Sequence, residues 1–72
     1  MMFKESTRDK ILNTAGKLFS QRGYFGVSMS QIAQQVGITK AALYYHFDSK
    51  QDIYLTVLKI LFLPFLVFWK KP

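Results

Sequence analysis

Gly37 lies between two short segments, residues 28–36 and 39–47, in which apolar residues recur at the spacing of one helix face. Glycine readily takes the left-handed backbone angles that a tight turn after a helix needs. In the second segment Leu43 and Phe47 are four residues apart, so both face the same side of a helix, inward. The pattern predicts two short helices joined by a glycine turn. In a chain of 72 residues this pair constrains the fold more than any other feature.

Two further helices are predicted on either side of this pair. Residues 7–22 form the first, with Ser6 as its cap, and a fourth begins at about Lys50, capped by Asp48 or Ser49. The predicted fold class is all-α, a three-helix bundle with the start of a fourth helix. Its predicted core consists of the inward-facing apolar residues Leu12, Ala15, Phe19, Ile32, Ala33, Val36, Leu43 and Phe47.

The charge of the chain favours a polyanionic partner. Ten lysines and arginines stand against four acidic residues, a formal net charge of +6, which suits nucleic acid or an acidic membrane surface. Half of the residues are hydrophobic, which indicates a packed domain and not a disordered basic tail. The first ten residues are polar and charged and do not resemble a secretory signal, so a cytoplasmic location is expected.

Enzymatic and metal chemistry are poorly supported by the residue types present. With no cysteine and a single histidine, neither a disulfide nor a metal site is expected, and no cofactor is predicted. No set of nucleophile, base and orienting group can be assembled, so we expect no catalysis. The acidic residues lie near predicted helix starts, where capping and the helix dipole account for them: Glu5, Asp9, Asp48 and Asp52.

The outward face of residues 39–47 differs from that of an ordinary exposed helix. No acidic residue occurs between Ser28 and Phe47, and the remaining surface offers a lysine, two phenols and an imidazole. These groups donate hydrogen bonds to phosphate, while two alanines let the helix approach base edges. Together with the preceding short helix they predict a helix-turn-helix whose second helix enters the major groove. The residues of this face are Lys40, Ala41, Ala42, Tyr44, Tyr45 and His46.

A longer pattern runs through all four predicted helices. It consists of Ile11-Leu12, Ala15, Leu18-Phe19, Gly23-Tyr24, Ile32-Ala33, Val36-Gly37-Ile38-Thr39-Lys40 and, most specifically, Leu43-Tyr44-Tyr45-His46-Phe47 followed by Ser49-Lys50. This pattern resembles the N-terminal DNA-binding domain of TetR-type bacterial transcriptional regulators, over about residues 7–58. Ala41 stands where such sequences commonly have glycine, and Val27 where they commonly have threonine.

The resemblance implies sequence-specific binding of double-stranded DNA and transcriptional regulation, of the repressor type. It also implies three kinds of DNA contact. Phosphates are expected at Tyr44, His46 and Lys50, the sugar-phosphate backbone at Ser28 and Ser30, and the major groove at Thr39, Lys40, Ala42 and Tyr45.

Residues 60–72 are interpreted as a divergent tail that follows a DNA-binding domain of residues 1–59. From Ile60 to Trp69 every residue is apolar or proline, and Pro64 is expected to stop or kink the fourth helix. TetR-type regulators carry a second helical domain that binds an effector and forms a homodimer, and we expect that domain to be absent here. The tail aromatics Phe62, Phe65, Phe68 and Trp69 are therefore predicted to be exposed.

Two alternatives rest on this tail. One is a small membrane-surface protein, suggested by the apolar run and the flanking Lys59, Lys70 and Lys71, although the run falls short of the about 20 apolar residues that span a bilayer. The other is a helical protein that pairs with another regulator through the uncovered apolar tail.

Overall fold

Four α-helices make up the part of the chain that the structure, a computed structural model, describes. This part comprises residues 5–70, with side chains described for residues 5–62. The helices are α1 (Thr7–Arg22), α2 (Met29–Val36), α3 (Lys40–His46) and α4 (Lys50–Lys70). Helix α1 packs against both α2 and α4, and α2 packs against α3. The predicted all-α class and the order of the helices are confirmed.

The predicted helix starts are confirmed by their capping hydrogen bonds. The Ser6 hydroxyl accepts a hydrogen bond from the Asp9 amide at 3.1 Å, which satisfies an unpaired donor in the first turn of α1. At α2 the Ser28 hydroxyl accepts from the Gln31 amide, and the Gln31 side chain accepts from the Ser28 amide, which completes the predicted capping box. Thr39 caps α3 through its hydroxyl in the same way as Ser6 caps α1.

The start of α4 resolves the choice between its two candidate caps. The Ser49 hydroxyl accepts a hydrogen bond from the Asp52 amide at 3.1 Å, so Ser49 is the residue that caps the helix. The Asp52 carboxylate reaches back and accepts from the Asp48 amide, also at 3.1 Å. This pair of bonds fixes the direction in which α4 leaves the end of α3.

The turn between α2 and α3 has the geometry that its glycine predicts. Gly37 has φ 90° and ψ 31°, the left-handed region, and its amide donates to the Ala33 carbonyl at 2.9 Å. The Ile38 amide also donates to Ala33, so the chain reverses within a single compact turn. This turn sets the relative orientation of α2 and α3.

One predicted core residue lies at the margin of the core, and several further residues belong to it. Val36 is only half-buried, because it is the last residue of α2 and packs against the core from the edge. Val27 is buried although it lies between two helices, where no periodic pattern could identify it. The other seven predicted core residues are buried, together with Ile11, Leu18, Val27, Met29, Ile53 and Val57.

Of the two outcomes expected at Pro64, a stop or a kink, the stop is wrong, since α4 continues to Lys70. A proline removes one backbone donor and crowds one carbonyl, and the residues on either side keep their own helical hydrogen bonds. The apolar spacing that places Ile53 and Val57 on the inner face of α4 also predicts Leu61 there, but Leu61 is 64% exposed. Phe62 is 53% exposed, as predicted. The side chains of Phe65, Phe68 and Trp69 lie outside the described residues.

Candidate nucleic-acid interface

The inward face of α3 fixes which side of this helix is presented to solvent. Leu43 is fully buried and Phe47, which ends the helix, is 3% exposed. The guanidinium carbon of Arg8, in the first turn of α1, lies 5.3 Å from the centroid of the Phe47 ring. With both apolar anchors buried, the opposite side of α3 faces outward.

The outward side of α3 carries the residues that the sequence places there. Tyr45 is 86% exposed and Tyr44 is 46% exposed, so neither tyrosine serves as a cover for the core. The Tyr45 ring stands edge-on to the His46 ring, with 5.2 Å between centroids. Lys40 and Ala41 are exposed, whereas Ala42 and His46 are half-buried at the margin of the face. The face therefore offers hydrogen-bond donors around two small residues.

The serine and threonine residues at the starts of α2 and α3 are exposed, and two of them, Ser28 and Thr39, cap these helices. Ser28, Ser30 and Thr39 are all accessible to solvent. Capping uses the hydroxyl oxygens of Ser28 and Thr39 as acceptors. Because a hydroxyl has a donor as well as two lone pairs, Thr39 retains a hydrogen that can be directed outward, whereas the Ser28 hydroxyl donates to the Gln31 side-chain oxygen at 3.4 Å.

Lys50 is held by the turn that follows α1, which the sequence did not reveal. Its ammonium nitrogen Nζ donates a hydrogen bond to the Tyr24 carbonyl oxygen at 2.8 Å. The same nitrogen lies 4.1 Å from the centroid of the Tyr24 ring and 5.7 Å from that of the Phe25 ring. Lys50 is thus half-buried between aromatic rings and a backbone oxygen, at the first residue of α4.

Phe25 is the residue near this lysine that sequence reasoning missed. It is 93% exposed, and its ring meets the Tyr24 ring edge-on with 5.2 Å between centroids. Tyr24 is anchored in turn by the Tyr54 ring of α4 at 4.8 Å. In the sequence, the only indication of the position of Phe25 was a pair of adjacent aromatic residues followed by Gly26. That pattern is also typical of an ordinary apolar turn.

The structure brings the predicted site residues into two groups. The first is the outward face of α3, with Thr39 at its start, whereas Ser28 and Ser30 lie at the start of α2, at the end away from the Gly37 turn. The second is Lys50, at the start of α4, with the turn after α1. Within the described residues, no three or more acidic or histidine side chains come together in a way that could hold a metal ion.

A comparison with protein families identifies this arrangement. Residues 11–57 match the family described as bacterial regulatory proteins, tetR family. The chain belongs to the tetR family. The matched segment begins in α1 and ends in α4, so it includes both short helices and Lys50. In this TetR-family domain, α2 and α3, joined by the Gly37 turn, have the arrangement of a helix-turn-helix.

Curated relatives of this TetR-family domain include two proteins named as the HTH-type negative transcriptional regulator IcaR of the biofilm operon icaADBC. The chain is 51% identical to IcaR of Staphylococcus aureus (strain Newman) over 55 residues, which is 76% of this chain and 30% of the relative. It is 49% identical to IcaR of Staphylococcus epidermidis over 47 residues, 65% of this chain and 25% of the relative. The chain thus spans less than a third of the length of these relatives.

Solved structures show the same fold. Crystal structures of two mutant HlyIIR proteins match the TetR-family domain with TM-scores of 0.70 and 0.73 at 38% and 37% sequence identity. The matches cover 74% and 82% of this chain, and 29% and 32% of the HlyIIR chains.

The comparisons give no support to the membrane-surface alternative. Of the helices in the described part of the chain, none combines the length and the apolar character needed to cross a bilayer.

Proposed function

We propose that this TetR-family domain represses transcription by binding double-stranded DNA with α3 in the major groove. The observation that carries the proposal is the outward face of α3, on which Lys40, Tyr44 and Tyr45 are exposed while Leu43 and Phe47 anchor the opposite side. Such a face can approach base edges because the alanines between the larger side chains are small. No reaction is part of the proposal, and we expect the protein to act in the cytoplasm, where the DNA is.

The contacts divide into those that hold the phosphates and those that distinguish sequences. Tyr44, His46 and Lys50 are the proposed phosphate contacts, with Ser28 and Ser30 against the sugar-phosphate backbone. The groove contacts come from the first turns and the exposed face of α3: Thr39, Lys40, Ala41, Ala42 and Tyr45. Phosphate contacts set the register of the domain on the duplex, and base contacts set its preference.

A homodimer on a palindromic site is the expected form of the whole regulator, since a two-fold pair of helix-turn-helix domains reads two half-sites. A single domain makes only the contacts of one half-site. Joining two copies by a flexible linker raises the effective concentration of the second domain and strengthens binding without any new contact. Fluorescence anisotropy with the single chain and with the linked pair tests the proposal. If the linked pair binds every duplex no more strongly than it does in the presence of excess heparin, the proposal is wrong.

A second proposal rests on the exposed apolar part of α4. Ile60, Leu61 and Phe62 are 54%, 64% and 53% exposed and follow one another along the chain. Exposed apolar side chains of this size promote association with another apolar surface. We therefore propose that the chain associates through this segment, with a second copy or with a longer regulator. Sedimentation velocity in detergent-free buffer distinguishes association from a single dispersed species.

A further inference from the structure

We propose that Phe25 is a positioning residue of the DNA interface, which holds the Lys50 ammonium where it meets a phosphate. The inference rests on the proposed function, because it takes Lys50 as a phosphate contact. It adds a residue that lies outside the helix-turn-helix and to which the sequence pattern assigns no role.

The first observation is that the Lys50 ammonium is oriented before any DNA arrives. Its Nζ donates to the Tyr24 carbonyl oxygen at 2.8 Å and lies over the Tyr24 ring at 4.1 Å. A free lysine side chain samples many rotamers, and fixing it on binding costs conformational entropy. Because the Lys50 side chain is already ordered when the domain folds, less conformational entropy is lost when DNA binds.

The second observation is that the ammonium keeps donors for a phosphate while it holds this position. A lysine ammonium has three N–H donors and no acceptor. The Tyr24 carbonyl accepts from one of them, and the face of the Tyr24 ring attracts the cation electrostatically, without a carbonyl-type acceptor. A phosphate can therefore be bound without breaking the contact to the turn.

The third observation is the placement of Phe25 on the open side of this arrangement. The Phe25 ring is 93% exposed, lies 5.7 Å from Lys50 Nζ, and stands edge-on to the Tyr24 ring. Burial in the core does not explain a phenylalanine with that exposure. As a second ring beside the cation, it limits the directions that the lysine side chain can take on the solvent side.

The test measures the affinity for a fluorescent duplex, from low to physiological salt, for four single variants of the 72-residue chain and for the Lys50→Gln/Phe25→Ala double variant. Lys50→Gln removes the charge but keeps a donor for the Tyr24 carbonyl, so the turn is retained. Phe25→Ala removes the ring, and Phe25→Tyr keeps it. Leu55→Ala is the control, since Leu55 is also an exposed apolar residue, 46% exposed on α4, and has no part in the proposed DNA contacts or in the proposed association surface.

Lys50→Gln is expected to make the plot of log affinity against log salt shallower by about 0.9, the contribution of one phosphate neutralised by a cation. Phe25→Ala is expected to weaken binding about two- to fivefold. The loss is small because an exposed cation–π contact is weak, so its removal lowers the population of correctly oriented lysine only by that factor. The salt slope of Phe25→Ala stays that of the unmodified chain. In the Lys50→Gln background, Phe25→Ala changes nothing, and Phe25→Tyr and Leu55→Ala bind like the unmodified chain.

Each contrary result overturns a different part of the account. An unchanged salt slope in Lys50→Gln shows that Lys50 does not neutralise a phosphate. An equal loss from Phe25→Ala with and without Lys50, or no loss at all, shows that Phe25 does not act through the lysine. Melting curves followed by circular dichroism identify any variant that loses affinity because it unfolds. If Lys50→Gln unfolds, the salt slope is measured again with Lys50→Met. If the unmodified chain binds no duplex even at low salt, the proposed function fails, and this inference fails with it.

Discussion

The guanidinium of Arg8 lies over the ring of Phe47, with 5.3 Å between Cζ and the ring centroid. One residue is in the first turn of α1 and the other ends α3, so this contact joins the start of the domain to the end of the proposed recognition helix. Helix α3 has only seven residues and would not persist alone. Its orientation therefore depends on the side chains that bury it.

The first prediction concerns Phe47 and the residue that covers it. Phe47→Ala is expected to lower the free energy of unfolding by about 3–5 kcal/mol, the range for loss of a buried aromatic. Arg8→Ala is expected to cost only about 0.5–1 kcal/mol, as an exposed cation–π contact. Chemical unfolding followed by far-ultraviolet circular dichroism measures both. A Phe47→Ala protein as stable as the unmodified chain would contradict the position of α3 in the bundle.

The second prediction compares two glycines in different backbone conformations. Gly37 has φ 90°, so Gly37→Ala places a side chain in the left-handed region and is expected to cost about 1–2 kcal/mol. Gly16 lies inside α1, where an added Cβ would be 3.6 Å from Val57 Cγ1, an ordinary contact distance. Gly16→Ala is therefore expected to stabilise the domain by about 0.4–1 kcal/mol. Melting temperatures that move in the same direction for both variants would refute this assignment.

The third prediction concerns the exposed apolar segment of α4. Removal of residues 60–72 is expected to reduce self-association, because Ile60, Leu61 and Phe62 contribute little to the core and much to the exposed apolar surface. Replacing these three residues with glutamine in the full chain is the matched control, since it keeps the helix and removes the apolar surface. Sedimentation velocity at several concentrations measures both. Equal association in all three proteins would show that another surface is responsible.

The sequence predicted the helices well because their signals are local. Ser28 and Gln31, Thr39, and Gly37 each act through neighbours within four residues, so the spacing in the sequence is enough to place them. Long-range contacts leave no such pattern. The hydrogen bond from Lys50 to Tyr24 joins residues 26 apart, and nothing in either segment indicates it.

The positions that sequence reasoning misjudged depend on what lies next to them in space. Val27 is buried because α1 and α2 converge over the segment between them, although it belongs to no helix. Val36 follows the apolar pattern of α2, yet it is half-buried at the end of the bundle. For α4, helical hydrogen bonding on both sides of Pro64 prevails over the local preference of proline to end a helix.

The fourth prediction tests the central claim, that α3 reads the base sequence of double-stranded DNA. Two copies of the chain joined by a flexible linker are titrated against a random duplex pool and against palindromic duplexes, and the affinities are ranked. Lys40→Ala and Tyr45→Ala are expected to change that ranking, since base contacts carry discrimination of about 1–3 kcal/mol each. Lys59→Ala removes the same charge as Lys40→Ala from an exposed position on α4, and is expected to leave the ranking unchanged. If the Lys40 and Tyr45 variants instead rank the duplexes as the unmodified protein does, α3 does not read the sequence.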